Sequence, residues 1–244
     1  LPRIKLTLAY EGTHYHGWQK QVGHPSIQGQ LETAVQKLTQ QITRVYGAGR
    51  TDAGVHALAQ VAHFDSAADF LETDWVRALN AVLPDDIVVN KAVFADENFH
   101  ARFSAKGKRY RYRILNTKQA DPFIRNQVWH VQDGLDLRAM QIAAKALSGA
   151  HCFTSFCAAE TDVSDHDIDL NDIQIGQAGD EIRIILNARR FLRYMVRNIV
   201  GFLVEVGRGK RAPEEIPSIL AAKNRSAAGP TAPPQGLMLV QVDY

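Results

Sequence analysis

The sequence predicts an α+β protein of two subdomains, each in the ferredoxin-like order β-α-β-β-α-β with mostly antiparallel sheets. Two observations carry this reading. Segments with strand-like period two and segments with helix-like spacing follow one another in that order, and the order occurs twice. The length, 244 residues, suits two small domains or one large one. Apolar residues make up 45% and charged residues 22%, which excludes a disordered chain, a coiled coil and a collagen.

In the first half, Ile4, Leu6, Leu8 and Tyr10 alternate with Arg3, Lys5 and Thr7, a strand. Pro25-Ser26 opens a helix that lines up Ile27, Leu31, Ala34, Val35 and Leu38, with Ser26 as N-cap. Ile42 to Ala48 reads as a second strand, Gly49 to Leu58 as a loop and Ala59 to Phe64 as a third strand. Thr73 to Leu83 is a helix carrying Trp75, Leu79 and Val82, stopped by Pro84. Ile87 to Phe94 is a fourth strand.

The second half repeats the order. Arg109 to Leu115 is a strand, and Asp136 to Ser148 a helix with Leu137, Met140, Ala144 and Leu147 inward. Asp172 to Gly176 and Ile182 to Ala188 are strands across an Ala178-Gly179-Asp180 turn. Arg190 to Val206 and Pro213 to Ala222 read as helices, Ala227 to Gly236 as a loop, and Leu237 to Asp243 as a last strand. The join is expected near residues 95 to 105, giving subdomains of residues 1–104 and 105–244. The element order carries the repeat; the residues themselves show none.

Lys plus Arg is 28 and Asp plus Glu is 26, a balance that excludes a histone-like polycation and leaves only the distribution of charge to mark a nucleic-acid site. The basic residues do cluster. Arg109, Arg111 and Arg113 fall on one face of their strand, and Tyr110, Tyr112 and Ile114 on the other. Such a strand fits base stacking and phosphate contact; it equally fits a buried Tyr face under a solvated Arg face. Arg190, Arg193 and Arg197 are spaced i, i+3, i+7 for one helix face. Arg197 lies among Met195, Val196, Ile199 and Val200, so it needs an anion, either a protein carboxylate or a phosphate. Glu160 to Asp172 holds six acids. Counted from Asp162, an EF-hand would need Gly at 167 and Glu at 173, where Asp and Ile stand, so a solvated acidic loop is expected.

Cys152 and Cys157 are too few for a disulfide framework and fit a reducing cytosol. The most apolar stretch, Tyr194 to Val206, is broken by Arg197 and Glu205 and is too short to span a bilayer. Leu1-Pro2-Arg3-Ile4-Lys5 has no signal-peptide shape and no Met, so preceding residues are expected, either trimmed or not included in this sequence. His14, His16, His56 and His63 follow no metal-ligand spacing, and the deaminase pattern of H-x-E with P-C-x-x-C is absent.

Gly49-Arg50-Thr51-Asp52-Ala53-Gly54-Val55-His56-Ala57 carries the chemistry. Its glycines mark a tight loop between strands, but position 52 is Asp, so it is no dinucleotide fingerprint, and no Gly-Lys-Ser/Thr makes it a P-loop. It presents one carboxylate with an arginine two residues earlier. An Asx-type turn with a solvent-facing arginine has the same pattern.

This motif resembles that of the TruA-type tRNA pseudouridine synthases. Further similar segments follow in order: Tyr10-Glu11-Gly12-Thr13-x-Tyr15-x-Gly17-Trp18-Gln19, Phe99-His100-Ala101-Arg102-Phe103-Ser104, Arg109-Tyr110-Arg111-Tyr112, Phe153-Thr154-Ser155-Phe156, Met195-Val196-Arg197-Asn198-Ile199-Val200-Gly201 and Gly236-Leu237-Met238-Leu239. The resemblance implies isomerisation of uridine to pseudouridine at nucleotides 38, 39 and 40 of the tRNA anticodon arm, without cofactor or metal. It also implies a cytoplasmic homodimer with the active-site cleft between the subdomains. It places Asp52 as the catalytic aspartate, Tyr110 stacked on the target base, Arg50 and Arg197 near the aspartate and the extruded nucleotide, and Leu237 at an apolar active-site position. Arg109, Arg111, Arg113, Arg190 and Arg193 are RNA-contact candidates. The acidic segment from Glu160 departs from the family's usually basic one.

The reaction conserves every atom, so it requires no cosubstrate. An ionised carboxylate can serve as nucleophile or as a base assisting departure of uracil, and adjacent arginines keep it ionised. A base inside a stem must first leave the stack, at a cost of a few kcal/mol. A non-catalytic tRNA-binding or folding module is the alternative reading; against a metal-free glycosidase-like hydrolase stands the lack of an obvious second acid, since such hydrolysis normally uses two carboxylates.

Overall fold

Alternating side chains make Arg3–Tyr10 the strand β1, with Ile4, Leu6, Leu8 and Tyr10 buried. In this computed structural model residues 1–160 and 163–244 are described. They fall into two compact units, residues 1–106 with 238–244, and residues 107–237.

In the first unit, Ser26 caps helix α1 (Ile27–Thr39) by accepting the Gly29 N–H at 3.2 Å, an interaction that stabilises a helix by about 1 kcal/mol. Strand β2 (Tyr46–Gly47), strand β3 (His56–Asp65), helix α2 (Glu72–Val82) and strand β4 (Ile87–Ala95) follow. The strand order is β4-β1-β3-β2, antiparallel throughout. Phe64 of β3 meets Trp75 of α2 edge to face, ring centroids 5.2 Å apart, and Leu31 of α1 and Leu79 of α2 are also fully buried. The strand expected over Ile42 to Ala48 shrinks to two paired residues, because Ile42 and Arg44 are exposed and only Tyr46 and Gly47 register against His63 and Ala62.

The second unit opens with β5 (Gly107–Leu115), β6 (Trp129–His130) and helix α3 (Leu137–Leu147), the last capped by Asp136 on the Ala139 N–H at 3.0 Å. Next come β7 (Gly149–Cys152), β8 (Asp167–Ala178), β9 (Glu181–Ala188), helix α4 (Met195–Gly207) and helix α5 (Ile216–Ala222). Its strand order is β5-β9-β8-β7, antiparallel, with β6 parallel to β5. Helix α4 is buried almost all round, as its apolar sequence demands. The final strand β10 (Leu237–Asp243) differs from the expected boundary at 104/105. From Met238 onward it belongs to the first unit, because Met238 and Leu239 pair in parallel with His56 and Ala57 of β3.

Two further expectations are corrected. The segment from Glu160 is not a loop throughout: Asp167, Asp169 and Asp172 lie on β8, where they alternate with buried Ile168, Leu170 and Ile173. The acids are the solvent face of a half-buried strand; Asp162 lies outside the described residues. The helix expected from Arg190 begins only at Met195, because its N-cap Tyr194 sits in the left-handed region at φ 63°. A helix cannot propagate through that geometry, so Arg190 and Arg193 share no helix face with Arg197.

Candidate active site

Asp52 sits half-buried in the loop joining β2 to β3, in a turn closed by the Val55 N–H on the Asp52 carbonyl at 3.1 Å. The loop is fixed from below. The hydroxyls of Thr51 and Tyr10 are hydrogen-bonded at 2.8 Å, and the Gln60 amide donates to the Gly49 carbonyl at 2.9 Å. All three side chains are buried. Burial pushes the Tyr10 hydroxyl up to about 12, so it keeps its proton and this bond at any physiological pH.

The segment from Tyr10 to Gln19 wraps the same loop. The Trp18 N–H donates to the Thr51 carbonyl at 3.0 Å, the Gly54 N–H donates to the Tyr15 carbonyl at 3.2 Å, and the Gly12 N–H donates to Nδ1 of His56 at 2.9 Å. Gly17 has φ 86°, and a Cβ there would lie 2.4 Å from the Thr51 carbonyl oxygen. A Cβ on Gly12 would lie 2.1 Å from the Val55 oxygen. Two motifs far apart in sequence are thus one physical object, a backbone-on-backbone cradle for Asp52. Arg50 is exposed on this loop and forms no ion pair among the described residues.

In the second unit, β5 divides its side chains as its alternation requires: Tyr110, Tyr112 and Ile114 are buried, and Arg109 is exposed. Tyr110 meets Phe191 edge to face at 5.1 Å. The Tyr112 hydroxyl donates to the Pro233 carbonyl at 2.7 Å, and Gly236 lies so close that a Cβ would stand 2.5 Å from the Tyr112 ring. Leu237, the next residue, is buried. Arg197 of α4 is half-buried; its Nε donates to the Ala232 carbonyl at 2.8 Å, and its own carbonyl accepts the Ala232 N–H at 3.0 Å. This loop can approach because position 201 is glycine: a Cβ would come within 1.9 Å of the Pro230 oxygen. The guanidinium also stands over the Tyr194 ring at 5.0 Å, and Arg193 stacks on the same ring at 5.0 Å. Tyr194 is a residue that sequence reasoning missed, since a left-handed tyrosine leaves no signature.

The other arginines divide. Arg109 donates to Asn187 at 2.7 Å and stays exposed, and burial and neighbouring cations hold half-buried Arg111 below the usual arginine range. Arg190 is occupied by Asp165, 2.5 Å away, and by the carbonyls of Asp165 and Asp167, so the acidic segment serves as its partner. Arg113 is held by Glu181 in a two-pronged pair at 3.0 and 2.8 Å, and Arg183 joins the same carboxylate at 2.6 Å. The Arg113 pair holds Glu181 down at about 2. Its folded value therefore lies below the ordinary 4.5, and the stabilisation is complete above about pH 4.5 and fades as pH falls toward 2. Arg113→Ala is expected to lower the melting temperature at pH 7, with the difference from wild type shrinking at pH 3. Thermal melts at the two pH values check this, and an equal loss at both would deny the pair its role.

Among the described residues no group of three His, Cys, Asp or Glu side chains is placed to hold a metal ion, and no helix is long and apolar enough to cross a membrane. Comparison with known proteins gives consistent likenesses. A sequence model for a family described as tRNA pseudouridine synthase matches residues 7–104 and 143–244. The chain is similar to tRNA pseudouridine synthase A of Geobacillus sp. (strain WCH70), 46% identical over 243 residues, covering 99% of this chain and 98% of that one. It is also 46% identical over 246 residues to the protein of that name from Moorella thermoacetica, with all of both chains covered. Against the enzyme of Shewanella woodyi it is 44% identical over 242 residues, 99% of this chain and 93% of that one.

Proposed function

The chain belongs to the tRNA pseudouridine synthase family and isomerises uridine to pseudouridine in tRNA, and from that premise we propose that Asp52 carries the reaction, at nucleotides 38, 39 or 40 of the anticodon arm. The observation that supports this most is the cradle under Asp52: buried side chains and three backbone contacts fix the position of one carboxylate. A pure binding module has no need of such a fixture, whereas a group acting at an anomeric carbon does.

The chemistry assigns the other residues. The bond from C1′ to N1 breaks with the Asp52 carboxylate as nucleophile or assisting base, the uracil turns, and C1′ joins C5. The proton on C5 leaves to a base, with the Tyr110 hydroxyl or a water as acceptor, and N1, released from C1′, takes up a proton in its place. Tyr110 supplies an aromatic face for the extruded base, Arg197 a cation for the carboxylate or the flipped nucleotide, and Leu237 an apolar wall. Arg50, exposed and unpaired among the described residues, suits the space or phosphates that the departing base leaves. Arg109 and Arg111 are the strand's RNA contacts. Two ferredoxin-like subdomains, a homodimer and a cytoplasmic setting complete the reading that the resemblance implies.

The test is direct. Unmodified tRNA transcripts are incubated with the protein in buffer containing neither nucleotide nor added metal, and pseudouridine is mapped by position. Product at 38, 39 or 40 is expected; product confined to other positions, or none while tRNA still binds, would overturn the assignment.

A further inference from the structure

The segment Phe99-His100-Ala101-Arg102-Phe103-Ser104 has no part in the reaction as assigned, yet it is built with care. The Ala101 N–H donates to Nδ1 of His63 at 3.1 Å, and the Arg102 N–H donates to Nδ1 of His100 at 3.1 Å. These bonds hold an array of rings. Tyr46 stacks on buried His63 at 5.2 Å and 19°; His100 packs on His63 at 4.7 Å and on Phe103 at 4.4 Å. Phe103 is 74% exposed and Tyr46 40% exposed. A lone exposed phenylalanine needs no explanation; one fixed at the end of a hydrogen-bonded aromatic array does.

The charges that stand over its exposed rings are both positive. Arg44 stands over the Tyr46 ring at 5.2 Å and Arg102 over the Phe103 ring at 5.6 Å. Both are exposed, and neither makes an ion pair among the described residues. The neighbouring carboxylate, Asp65, is held by Arg3 at 2.7 Å. Burial above all, and nearby Arg3, push His63 down to about 4 and His100 in the same direction, so near pH 7 the imidazoles are neutral π faces and the arginines alone carry charge. Flat rings beside unpaired arginines are the chemistry that takes an unpaired base and its phosphates. The array also lies near the reaction. Tyr46 and Asp52 share one hairpin, and the six residues from 46 to 52 can span no more than about 20 Å.

We propose that Phe103, Tyr46 and His100 form a second nucleobase platform, which stacks an unpaired base of the tRNA away from the reacting uridine while Arg44 and Arg102 take the flanking phosphates. The proposal rests on tRNA being the substrate. Its role is to set the register of the RNA on the protein.

The test measures the dissociation constant for unmodified tRNA transcripts across a salt series, with gel filtration of each variant. Phe103→Ala is expected to weaken binding about tenfold, and Phe103→Trp to restore it to within about twofold. The Arg44→Ala/Arg102→Ala double variant is expected to flatten the slope of log K against log salt by about 1.4 to 1.8. An affinity unchanged by Phe103→Ala, or a loss that tryptophan fails to restore, overturns the platform. So does a loss of affinity that tracks a change in oligomeric state, which would assign the face to a second copy of the chain. Wild-type protein is assayed for pseudouridine on the same transcripts. Product there, with binding indifferent to Phe103, removes the platform and leaves the reaction standing; no product removes the reading on which it rests.

Discussion

Asp52→Asn is expected to bind tRNA with near wild-type affinity and to lose about 10² to 10⁴ in the rate of pseudouridine formation. The affinity should hold because the substitution is isosteric and leaves the cradle intact: the Val55 N–H still finds the carbonyl of residue 52, and the Thr51–Tyr10 and Gln60–Gly49 bonds do not involve the carboxylate. The rate should collapse because an amide is neither a nucleophile toward an anomeric carbon nor a base at neutral pH; losing a general base alone costs about 10² to 10⁴. Single-turnover kinetics on saturated enzyme separate the two quantities. Turnover undiminished by the change would remove Asp52 from the mechanism, and a matching loss of binding would make its role one of recognition.

Gly17→Ala should be nearly as damaging without touching any reacting group. Two penalties coincide. The residue must hold φ 86°, which costs an L residue about 1 to 2 kcal/mol. Its Cβ would also stand 2.4 Å from the Thr51 carbonyl oxygen and 3.0 Å from the Asp52 carbonyl carbon. Both neighbours are backbone, so no side chain can swing aside; the loop bearing Asp52 must move, and a displacement near 1 Å at a reacting group costs about a hundredfold. Gly179 provides the control. It has φ 58° in the turn between β8 and β9, but nothing lies within 4 Å of its missing Cβ. Gly179→Ala should lower the melting temperature slightly and leave kcat alone. If Gly17→Ala keeps wild-type kcat, the cradle does not fix the carboxylate.

Much of this architecture was legible from the sequence, and the gaps have physical reasons. Helices α1 and α3 announced themselves by spacing, and α1 also by its cap Ser26, whose side chain accepts the N–H expected of it; Asp136, which the spacing put inside α3, proves to be its cap. Strand β5 was legible because one of its faces is buried. The alternation in β8 is equally present, but its aspartates outnumber the apolar residues between them and so mimic a solvated loop; the buried Ile168 and Leu170 mark the strand. The start of α4 was hidden, since propensity cannot tell that Tyr194 adopts a left-handed conformation. The pairing of Arg113 with Glu181 and of Arg190 with Asp165 joins residues far apart in the chain, so charge counts alone could not show these protein partners. The cradle was half-visible: its glycines stood in the motifs, but only contact distances say which backbone each one admits.

The placement of β10 sets a timetable for synthesis. Strand β3, which leads away from the Asp52 loop, receives Met238 and Leu239 as neighbours only after the whole of the second unit has been made. At about 5 to 20 residues per second, a ribosome takes roughly ten seconds over that interval. Through it the first unit waits with an open sheet edge, the kind of surface on which nascent chains aggregate. The first unit therefore completes its sheet last, and a chain that stalls late leaves the His56–Ala57 end of β3 without its parallel neighbour.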